Sequence, residues 1–334
     1  MDKNSRIFVA GGETLIGGAL LRQLARHGYQ QVMDETTQPS TLPAPSSARI
    51  VGRRGRRPEQ LPLDLTEAAQ VADFFSRHSP EYVFLAAGKS GGIEANRQYP
   101  AELMLDNLLV ECHLIHHAYQ HGVKKLLYLA SSCTYPKLSP QPMRVASLLT
   151  GPLEPTNEAY AVAKIAGIKL CEAYRQQYGT NFIVGIPANA FGPDDDFNLD
   201  NSHVIPALLR KMHEAKTQGA DQVEIWGTGA PRREFIFADD LAEACIFVMQ
   251  HYDGAEPINL GGGEDVSIRE LADLALKVVG YQGQLRFDTS KPDGMPLKAL
   301  DSSRLREMGW VAGTSLKDGL AATYTSFLKN FNHE

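Results

Sequence analysis

Short apolar runs and longer amphipathic stretches alternate along most of the chain. RIFVA at residues 6–10, the run EYVFLAAG, and KKLLYLA before Ser131 have the apolar character of strands buried on both faces. The stretches between them have helical spacing, and the first places Ile16, Leu20 and Leu24 on one face. Strands that alternate with helices predict an α/β fold with a doubly wound parallel sheet (Rossmann), whose functional groups gather at the carboxyl ends of the strands.

The first strand runs into a glycine-rich turn, GGETLIGG, which opens the first helix. Strand, turn and helix in this order let backbone N–H groups and the helix N-terminus hold a pyrophosphate. The turn reads Gly11-x-x-Thr14-x-x-Gly17, with threonine where many such turns have a third glycine. Thr14 can cap the helix, although its Cβ limits how closely a cofactor approaches. We therefore predict a dinucleotide site at this turn.

Two interpretations of the next stretch remain open, and they imply different cofactors. In the first, QQVMDE is the second strand, and Asp34 binds a ribose hydroxyl of NAD(H). In the second, SARIVG is the strand, and the arginines that follow, Arg53 among them, attract the 2′-phosphate of NADP(H). Glu13 in the turn would repel that phosphate, which weakens the second interpretation. We favour NADP(H) and leave NAD(H) open.

The chemistry of the chain is concentrated between Leu129 and Lys164. Tyr160 and Lys164 stand four residues apart in a predicted helix, so their side chains lie on one face, a turn apart. The lysine ammonium, with a nicotinamide ribose, would stabilise the phenolate and bring the pKa of Tyr160 towards neutrality. Ser131 ends a predicted strand, and its hydroxyl can share a carbonyl oxygen with the Tyr160 hydroxyl. Together with the glycine turn, this arrangement indicates a nicotinamide-dependent oxidoreductase.

Composition narrows the class of protein. The 334 residues, 22% of them charged and 43% hydrophobic, are ordinary for an enzyme of one large or two interlocked domains. A net charge of -6 argues against nucleic acid as a partner. The cysteines form no CxxC pair, which argues against a metal site or a disulfide framework. No apolar run reaches ~18 residues and no signal-peptide pattern precedes the first strand, so we predict a cytoplasmic protein without a membrane partner.

Several longer blocks carry a more specific resemblance. They are AAGKSGGIEAN, SSCTYPK, GPLEPTNEAYAVAKIAGIKLCEAY, NSHVIPALLRKMHEA, WGTGAPRREFIFADDLA and SKPDGMPLK, which run from Ala86 almost to the C-terminus. In these blocks the sequence resembles the extended short-chain dehydrogenases that epimerise and reduce GDP-4-keto-6-deoxy-hexoses. The resemblance implies a nucleotide-sugar epimerase/reductase with a nicotinamide cofactor. Phe191 and Leu297 depart from the family's pattern, so an oxidoreductase, epimerase or dehydratase acting on another nucleotide sugar stays open.

The resemblance and the strand-end positions together give a set of candidate site residues. By resemblance, Ser131, Tyr160 and Lys164 are the reductase triad, and Cys133 and His203 are the acid/base pair for epimerisation. The candidates for holding the cofactor are Gly11, Thr14, Leu15, Ile16, Gly17, Arg53, Asp64, Leu65, Ala86, Ala87, Lys89, Asn107, Tyr160, Lys164, Pro187, Asn189 and His203. The candidates for holding the nucleotide sugar are Ser132, Asn189, Val204, Lys211, Trp226, Arg233 and Lys298.

We predict two domains of unequal size. Residues 1–188, with a returning segment near 234–262, form the dinucleotide-binding domain. Residues 189–233 and 263–330 form a smaller α/β domain that binds the nucleotide sugar, and the substrate should lie in the cleft between the two. The resemblance also implies a homodimer, paired through the predicted helices at 100–121 and 158–178.

Overall fold

The computed structural model describes residues 1–37, 62–199, 202–291 and 293–331. Arg53, the other arginines that follow SARIVG, and that alternative strand itself lie outside these residues. The described residues therefore bear on only one of the two interpretations of the adenosine end, the one that places a strand at QQVMDE.

Strands and helices alternate among the described residues. The strands are β1 (Arg6–Ala10), β2 (Gln31–Met33), β3 (Tyr82–Leu85), β4 (Lys125–Leu129), β5 (Phe182–Pro187), β6 (Asn189–Phe191), β7 (Gln222–Trp226), β8 (Arg232–Phe237), β9 (Ile258–Leu260), β10 (Asp265–Ser267), β11 (Gln284–Asp288) and β12 (Leu297–Lys298). The helices are α1 (Leu15–Arg26), α2 (Ala68–His78), α3 (Ile93–Gln98), α4 (Pro100–Gln120), α5 (Glu158–Tyr178), α6 (Val204–Gln218), α7 (Ala238–His251), α8 (Ile268–Val279), α9 (Ser303–Glu307) and α10 (Leu316–Phe331).

The larger sheet has the strand order β2–β1–β3–β4–β5–β9, and all neighbouring strands are parallel. The chain moves outwards from β1 to β2 and then crosses back to β3, so the order reverses between β1 and β3. Helix α1 packs against α7, and α4 packs against α2 and α5. The predicted doubly wound sheet is confirmed. Such sheets bind ligands outside the carboxyl ends of the strands, at the reversal.

Strand β2 pairs in parallel with β1, with Met33 opposite Phe8. The interpretation of QQVMDE as the second strand is therefore confirmed. Because β2 ends at Met33, Asp34 and Glu35 both lie at the carboxyl edge of the sheet, beside the turn that follows β1.

Close packing of β4 against α5 fixes the catalytic stretch. All five residues of β4 are buried, including Lys125, whose ammonium donates to Asp253 at 2.8 Å. On α5, a Cβ at Gly167 would come within 2.5 Å of the Tyr128 ring, so only glycine allows the helix to lie this close to the strand. The end of β4, with Ser131, is thereby held against the first turns of α5.

A smaller α/β part has its own apolar core. Strand β8 pairs with β6, β10 and β12, and β7 pairs in parallel with β11. The buried side chains of this core include Leu209, Met212 and Leu271. The predicted boundary at 233/234 falls within β8, and the domain limits stay a prediction. None of the described helices is both long enough and apolar enough to cross a bilayer.

Candidate active site

The glycine turn after β1 closes tightly against the end of β3. Gly11 has φ +94°, and a Cβ there would lie 2.6 Å from the Ala87 nitrogen. A Cβ at Gly17 would clash with the Gly11 carbonyl oxygen, so both glycines are required by the turn itself. The Thr14 hydroxyl accepts a hydrogen bond from the Gly17 amide at 3.0 Å, which confirms the predicted cap.

The first turn of α1 offers amides to an anion. Leu15 and Ile16 open the helix, where backbone N–H groups have no carbonyl of their own helix to bond. These amides and the positive end of the helix dipole suit a pyrophosphate. The turn therefore fits the dinucleotide that the sequence predicts.

Glu35, which follows β2, contacts this turn and was missed by sequence reasoning. Its carboxylate accepts hydrogen bonds from the amides of Gly11 and Gly12, the latter at 3.0 Å. Burial raises the pKa of Glu35, and these two hydrogen bonds oppose that rise. Asp34, which the NAD(H) interpretation placed on the ribose, instead accepts from the Thr36 amide and hydroxyl at 2.9 and 2.7 Å. The sequence does show two acids, Asp34 and Glu35, after the strand. Of the two, Glu35 is the one that reaches the turn.

Asn107 and Lys164 meet around one glycine at the end of β3. Gly88 has φ +136°, and a Cβ there would clash with Asn107 Oδ1 and lie 3.4 Å from the Lys164 ammonium. The buried Asn107 donates to the carbonyls of Lys89 and Leu103 at 2.9 and 2.6 Å. Its Oδ1 is buried with no hydrogen-bond partner in the part of the chain that the structure describes. This unpaired acceptor, beside an ammonium and a glycine, fits a ribose hydroxyl of a bound nicotinamide nucleotide.

Two predicted cofactor residues near this edge are occupied by local contacts. The Asp64 carboxylate accepts from the amide and hydroxyl of Thr66 at 2.9 and 2.7 Å, which lowers its pKa. The exposed Lys89 ammonium pairs with Asp106. Both side chains therefore reach other protein groups.

Ser131 and Tyr160 come together as the sequence predicts. Ser131 follows β4 and caps the short 3-10 helix Ser132–Thr134, with its hydroxyl accepting from the Cys133 amide at 3.2 Å. The same hydroxyl lies near the Tyr160 phenol on α5 and acts to lower its pKa. A carbonyl oxygen placed between the two hydroxyls would receive a hydrogen bond from each.

Tyr160 has a raised pKa, and the neighbouring Lys164 pairs with a buried carboxylate. Desolvation by burial raises the pKa of Tyr160, as does the negative charge of Cys133, and the Ser131 hydrogen bond only partly opposes them. The Lys164 ammonium pairs instead with Glu111 at 3.0 Å, and both side chains are at least 95% buried. The pKa of Tyr160 is therefore raised by the protein alone, and its predicted lowering by Lys164 together with a nicotinamide ribose stays a prediction.

Glu111 is a second residue that sequence reasoning missed. Its carboxylate lies on the buried face of α4 and accepts from the Tyr128 hydroxyl at 2.7 Å as well as from Lys164. The Tyr128 hydroxyl also contacts the Lys164 carbonyl at 3.2 Å. These contacts fix the lysine at both its backbone and its side chain. Helical periodicity marks this face of α4 as buried, but gives no sign that the carboxylate meets a lysine from α5.

Cys133 has an activated thiol. The Lys298 ammonium lies 3.3 Å from its sulfur, and the Asn157 amide nitrogen lies 3.1 Å from it. Burial acts to raise the pKa of Cys133, but the Lys298 charge and hydrogen bonds from Ser131, Lys298 and Asn157 outweigh it, so the pKa is lowered. Lys298, which is predicted to bind the nucleotide sugar, contacts the sulfur and favours its thiolate. Its contact with the sugar stays a prediction.

His203 belongs to the same group of charges. It stands at the N-terminus of α6, immediately before Val204, and part of its side chain is open to solvent. Desolvation by the surrounding protein lowers its pKa, and the Lys298 charge lowers it further. Burial lowers the pKa of Arg233, and the negative charge of Cys133 opposes this decrease. One lysine therefore lowers the pKa values of both Cys133 and His203.

An exposed aromatic surface lies further out in the smaller part. Trp226 ends β7 and is 52% exposed. The ammonium groups of Lys211 and Lys291 lie 5.4 and 5.0 Å from the centre of its ring. An open indole flanked by cations suits a nucleobase and its phosphates. Lys291 was not predicted, and its place three residues after β11 gives no signal in the sequence.

The remaining predicted site residues lie at the ends of strands or are buried. The Asn189 amide donates to the Glu234 carbonyl at 2.7 Å, which ties β6 to β8. Pro187 ends β5, Ala86 follows β3, and Leu65 and Ser132 are buried. Among the described residues no three metal-ligating side chains converge on a common point.

The chain matches the NAD dependent epimerase/dehydratase family over residues 7–261. With its parallel sheet, glycine turn and Ser131–Tyr160–Lys164 arrangement, the chain belongs to this family of nucleotide-dependent enzymes.

Two relatives and one solved structure are similar to this chain over nearly its whole length. GDP-L-fucose synthase 1 of Arabidopsis thaliana is 50% identical over 329 residues, covering 98% of this chain and 95% of that protein. GDP-L-fucose synthase of Escherichia coli is 47% identical over 334 residues, with 97% of each chain covered. Among solved structures, a GDP-mannoheptose C4 reductase from Campylobacter jejuni with NADP bound has a TM-score of 0.83 and 35% identity, covering 98% of this chain and 99% of that one.

Proposed function

We propose that this protein is a nucleotide-sugar epimerase/reductase that converts GDP-4-keto-6-deoxymannose to GDP-L-fucose. The observation that carries the proposal is the contact of Lys298 with the Cys133 sulfur, beside the Ser131–Tyr160 pair. A reductase needs a proton donor for the carbonyl oxygen, which the two hydroxyls supply, and has no need of a thiolate. A thiolate stabilised next to them supplies the base that an epimerase needs. The similarity to GDP-L-fucose synthases supports the choice of substrate.

Epimerisation requires proton transfer on both faces of the sugar ring. The 4-keto group acidifies the protons on carbons 3 and 5, so a base can remove one and leave an enolate. Cys133, with its lowered pKa, is the base, and the protonated His203 returns a proton to the opposite face. The lowered pKa of His203 makes its protonated form a stronger acid. The enolate oxygen receives hydrogen bonds from the hydroxyls of Ser131 and Tyr160.

Reduction uses the same two hydroxyls. A bound nicotinamide nucleotide supplies the hydride for carbon 4. Tyr160 gives its proton to the carbonyl oxygen, and its raised pKa keeps the hydroxyl protonated at neutral pH, ready to act as an acid. Ser131 holds the same oxygen. Lys164, fixed by Glu111, and the unpaired Asn107 Oδ1 hold the ribose beside them.

The nucleotide end of the substrate extends into the smaller part. Arg233 faces the diphosphate, since a guanidinium makes bidentate contacts with phosphate oxygens. Trp226 stacks on the base, with Lys211 beside it. The cleft between the predicted domains holds the sugar. A homodimer and a cytoplasmic location stay predictions.

The cofactor is a nicotinamide dinucleotide. NADP is the form bound in the solved relative from Campylobacter jejuni, and it is the form that the sequence interpretation favours. The choice between NADP(H) and NAD(H) depends on the side chains at the adenosine end of the site.

The test is turnover of purified protein with GDP-4-keto-6-deoxymannose and either NADH or NADPH. We expect oxidation of the cofactor that depends on the sugar, with GDP-L-fucose as the product by chromatography and mass. UDP-4-keto-6-deoxyglucose serves as the matched control and should not be turned over. Turnover of the UDP sugar alone would reassign the protein to another nucleotide sugar, and no turnover of either sugar would refute the proposal.

A further inference from the structure

Asn157 stands at the start of α5 but does not cap the helix. Asparagine is among the best capping residues, because its side-chain oxygen can accept from the free amides of the first turn. Thr14 on α1 and Ser267 on α8 form caps of this kind, at 3.0 and 3.1 Å. The Asn157 side chain forms no such bond, and its backbone ψ of 23° lies outside the extended range of a capping residue.

The Asn157 side chain contacts the thiol of Cys133 instead. Its amide nitrogen donates to the sulfur at 3.1 Å. The other end of the amide, Oδ1, is buried, and in the stretches that the structure describes it has no hydrogen-bond partner. A buried unpaired acceptor and a missing helix cap both reduce stability. The side chain is therefore placed to serve the sulfur and not the helix.

The sulfur of Cys133 is surrounded by groups from different elements. Lys298 on β12 lies 3.3 Å from it, and Arg233 on β8 and Tyr160 on α5 are close enough for the charge of Cys133 to act on their pKa values. Lys298 and Arg233 belong to the smaller part of the molecule. Asn157 is a neutral donor, and it stands three residues before Tyr160, at the same end of α5.

We propose that Asn157 is a positioning residue, which holds the Cys133 thiolate at a fixed place relative to Tyr160. The inference rests on the proposed function, in which the thiolate removes a proton from a carbon next to the carbonyl that Tyr160 binds. Those two carbons are bonded to each other, so the base and the phenol must lie a fixed distance apart. The hydrogen bond from Asn157 ties the sulfur to the helix that carries the phenol, and its donor also favours the thiolate over the thiol.

Alkylation of the thiol tests the inference without any sugar. The purified protein is treated with iodoacetamide over a range of pH, and modification of Cys133 is followed by mass spectrometry of its peptide. Asn157→Ala should move the pH midpoint of this reaction to higher pH and lower its rate at pH 7 by about three- to tenfold. The exposed Cys112 in the same sample is the internal reference and should keep its midpoint.

Asn157→Asp separates the hydrogen bond from packing. This variant keeps the shape of the side chain but replaces the donor with a carboxylate, which repels the thiolate. The midpoint for Cys133 should therefore rise further in Asn157→Asp than in Asn157→Ala. The opposite order would assign Asn157 a packing role and overturn the inference, as would an unchanged midpoint in both variants.

Ser267→Ala is the matched control for a loss of stability. It removes a helix cap that the structure does form, so it should lower the Tm by more than Asn157→Ala does and leave the midpoint for Cys133 unchanged.

Turnover then shows which step depends on Asn157. In Asn157→Ala, exchange of the sugar's carbon-bound protons with heavy water should fall by about three- to tenfold, while reduction of an already epimerised sugar continues at nearly the normal rate. Equal losses in the two steps would contradict positioning of the thiolate. No turnover by the unsubstituted protein, with the midpoint still moved in Asn157→Ala, would refute the proposed function and leave the hydrogen bond to the thiolate established.

Discussion

The catalytic end and the adenosine end of the cleft are built in different ways. At the catalytic end, Lys298 contacts the reactive Cys133 directly, and a second cation, Lys164, is paired with Glu111. At the adenosine end, as far as the described residues show, Glu35 accepts from the amides of Gly11 and Gly12 and lies near the negative charge of Asp34. The first end is carried by β4, α5 and β12, and the second by β1, β2 and the turn. Because the two ends use separate elements, the choice of cofactor can change while the chemistry stays the same.

The largest expected effect is that of Tyr160→Phe. Removal of the proton donor should lower the rate of reduction by about 10²- to 10⁴-fold, while the fold is unchanged because only one oxygen is lost. Stopped-flow measurement of cofactor oxidation checks this. Exchange of the sugar's carbon-bound protons with solvent should fall by less, because Ser131 still holds the enolate oxygen. Equal losses in exchange and reduction would contradict separate roles for these groups.

The converse result is expected for Cys133→Ser. A hydroxyl in place of the thiolate is a far weaker base at neutral pH, so proton exchange should fall by about 10²-fold or more. Reduction of a 4-keto sugar that is already epimerised should continue at nearly the normal rate. Cys245→Ser, a buried thiol outside the cleft, is the matched control and should leave both steps unchanged. Exchange that survives in Cys133→Ser would assign the base to another group.

Lys298→Met should shift the pH dependence of proton exchange to higher pH. The Lys298 charge lowers the pKa values of both Cys133 and His203, so its removal raises both. The rate of exchange rises as the thiolate forms and falls as the histidine loses its proton. In the variant both changes occur at higher pH. The measurement is the pH profile of deuterium exchange.

Lys291→Met provides the control for Lys298→Met. It removes a cation that lies over Trp226, away from the thiol. This variant should weaken binding of the nucleotide sugar without moving the pH profile. A profile that is the same in Lys298→Met and the unsubstituted protein would contradict the role of Lys298 in stabilising the thiolate.

Glu111→Gln tests the buried support of Lys164. The Glu111 charge raises the pKa of Tyr160, so its removal should move the fall of the reduction rate at high pH to lower pH. The free energy of unfolding should fall by about 3–5 kcal/mol, since the lysine is left buried without its partner. Tyr128→Phe, which removes only one hydrogen bond to Glu111, should cost about 1 kcal/mol and leave the pH profile in place. Comparison of the pH profile and the free energy of unfolding in the two variants separates the effect of the charge from that of the packing.

The sequence predicted what depends on local order along the chain. Alternating apolar runs identified the sheet, and the spacing of Tyr160 and Lys164 placed both on α5. It could not reveal that Lys164 pairs with Glu111 from α4, or that Lys298 reaches Cys133 across 165 positions, because such contacts arise only from packing between elements. The raised pKa of Tyr160 has the same origin, since burial depends on the whole fold.

The adenosine end shows that prediction from the sequence is not accurate to a single residue. The strand QQVMDE was placed correctly, and an acid after it was expected to meet the ribose. The Asp34 carboxylate accepts from the Thr36 amide, whereas the neighbouring Glu35 carboxylate accepts from an amide of the glycine turn. Successive side chains of a strand point in opposite directions, so the place where β2 ends decides which acid reaches the site. A pattern read from sequence does not fix that position to one residue.

The position of deuterium in the product tests the central claim most directly. The protein is incubated in heavy water with GDP-4-keto-6-deoxymannose and either NADPH or NADH, and the product is analysed by proton NMR. Paired action of Cys133 and His203, followed by reduction, predicts GDP-L-fucose with deuterium at carbons 3 and 5 and hydrogen from the cofactor at carbon 4. A product reduced at carbon 4 but free of deuterium at carbons 3 and 5 would show that the thiolate cluster does not perform epimerisation.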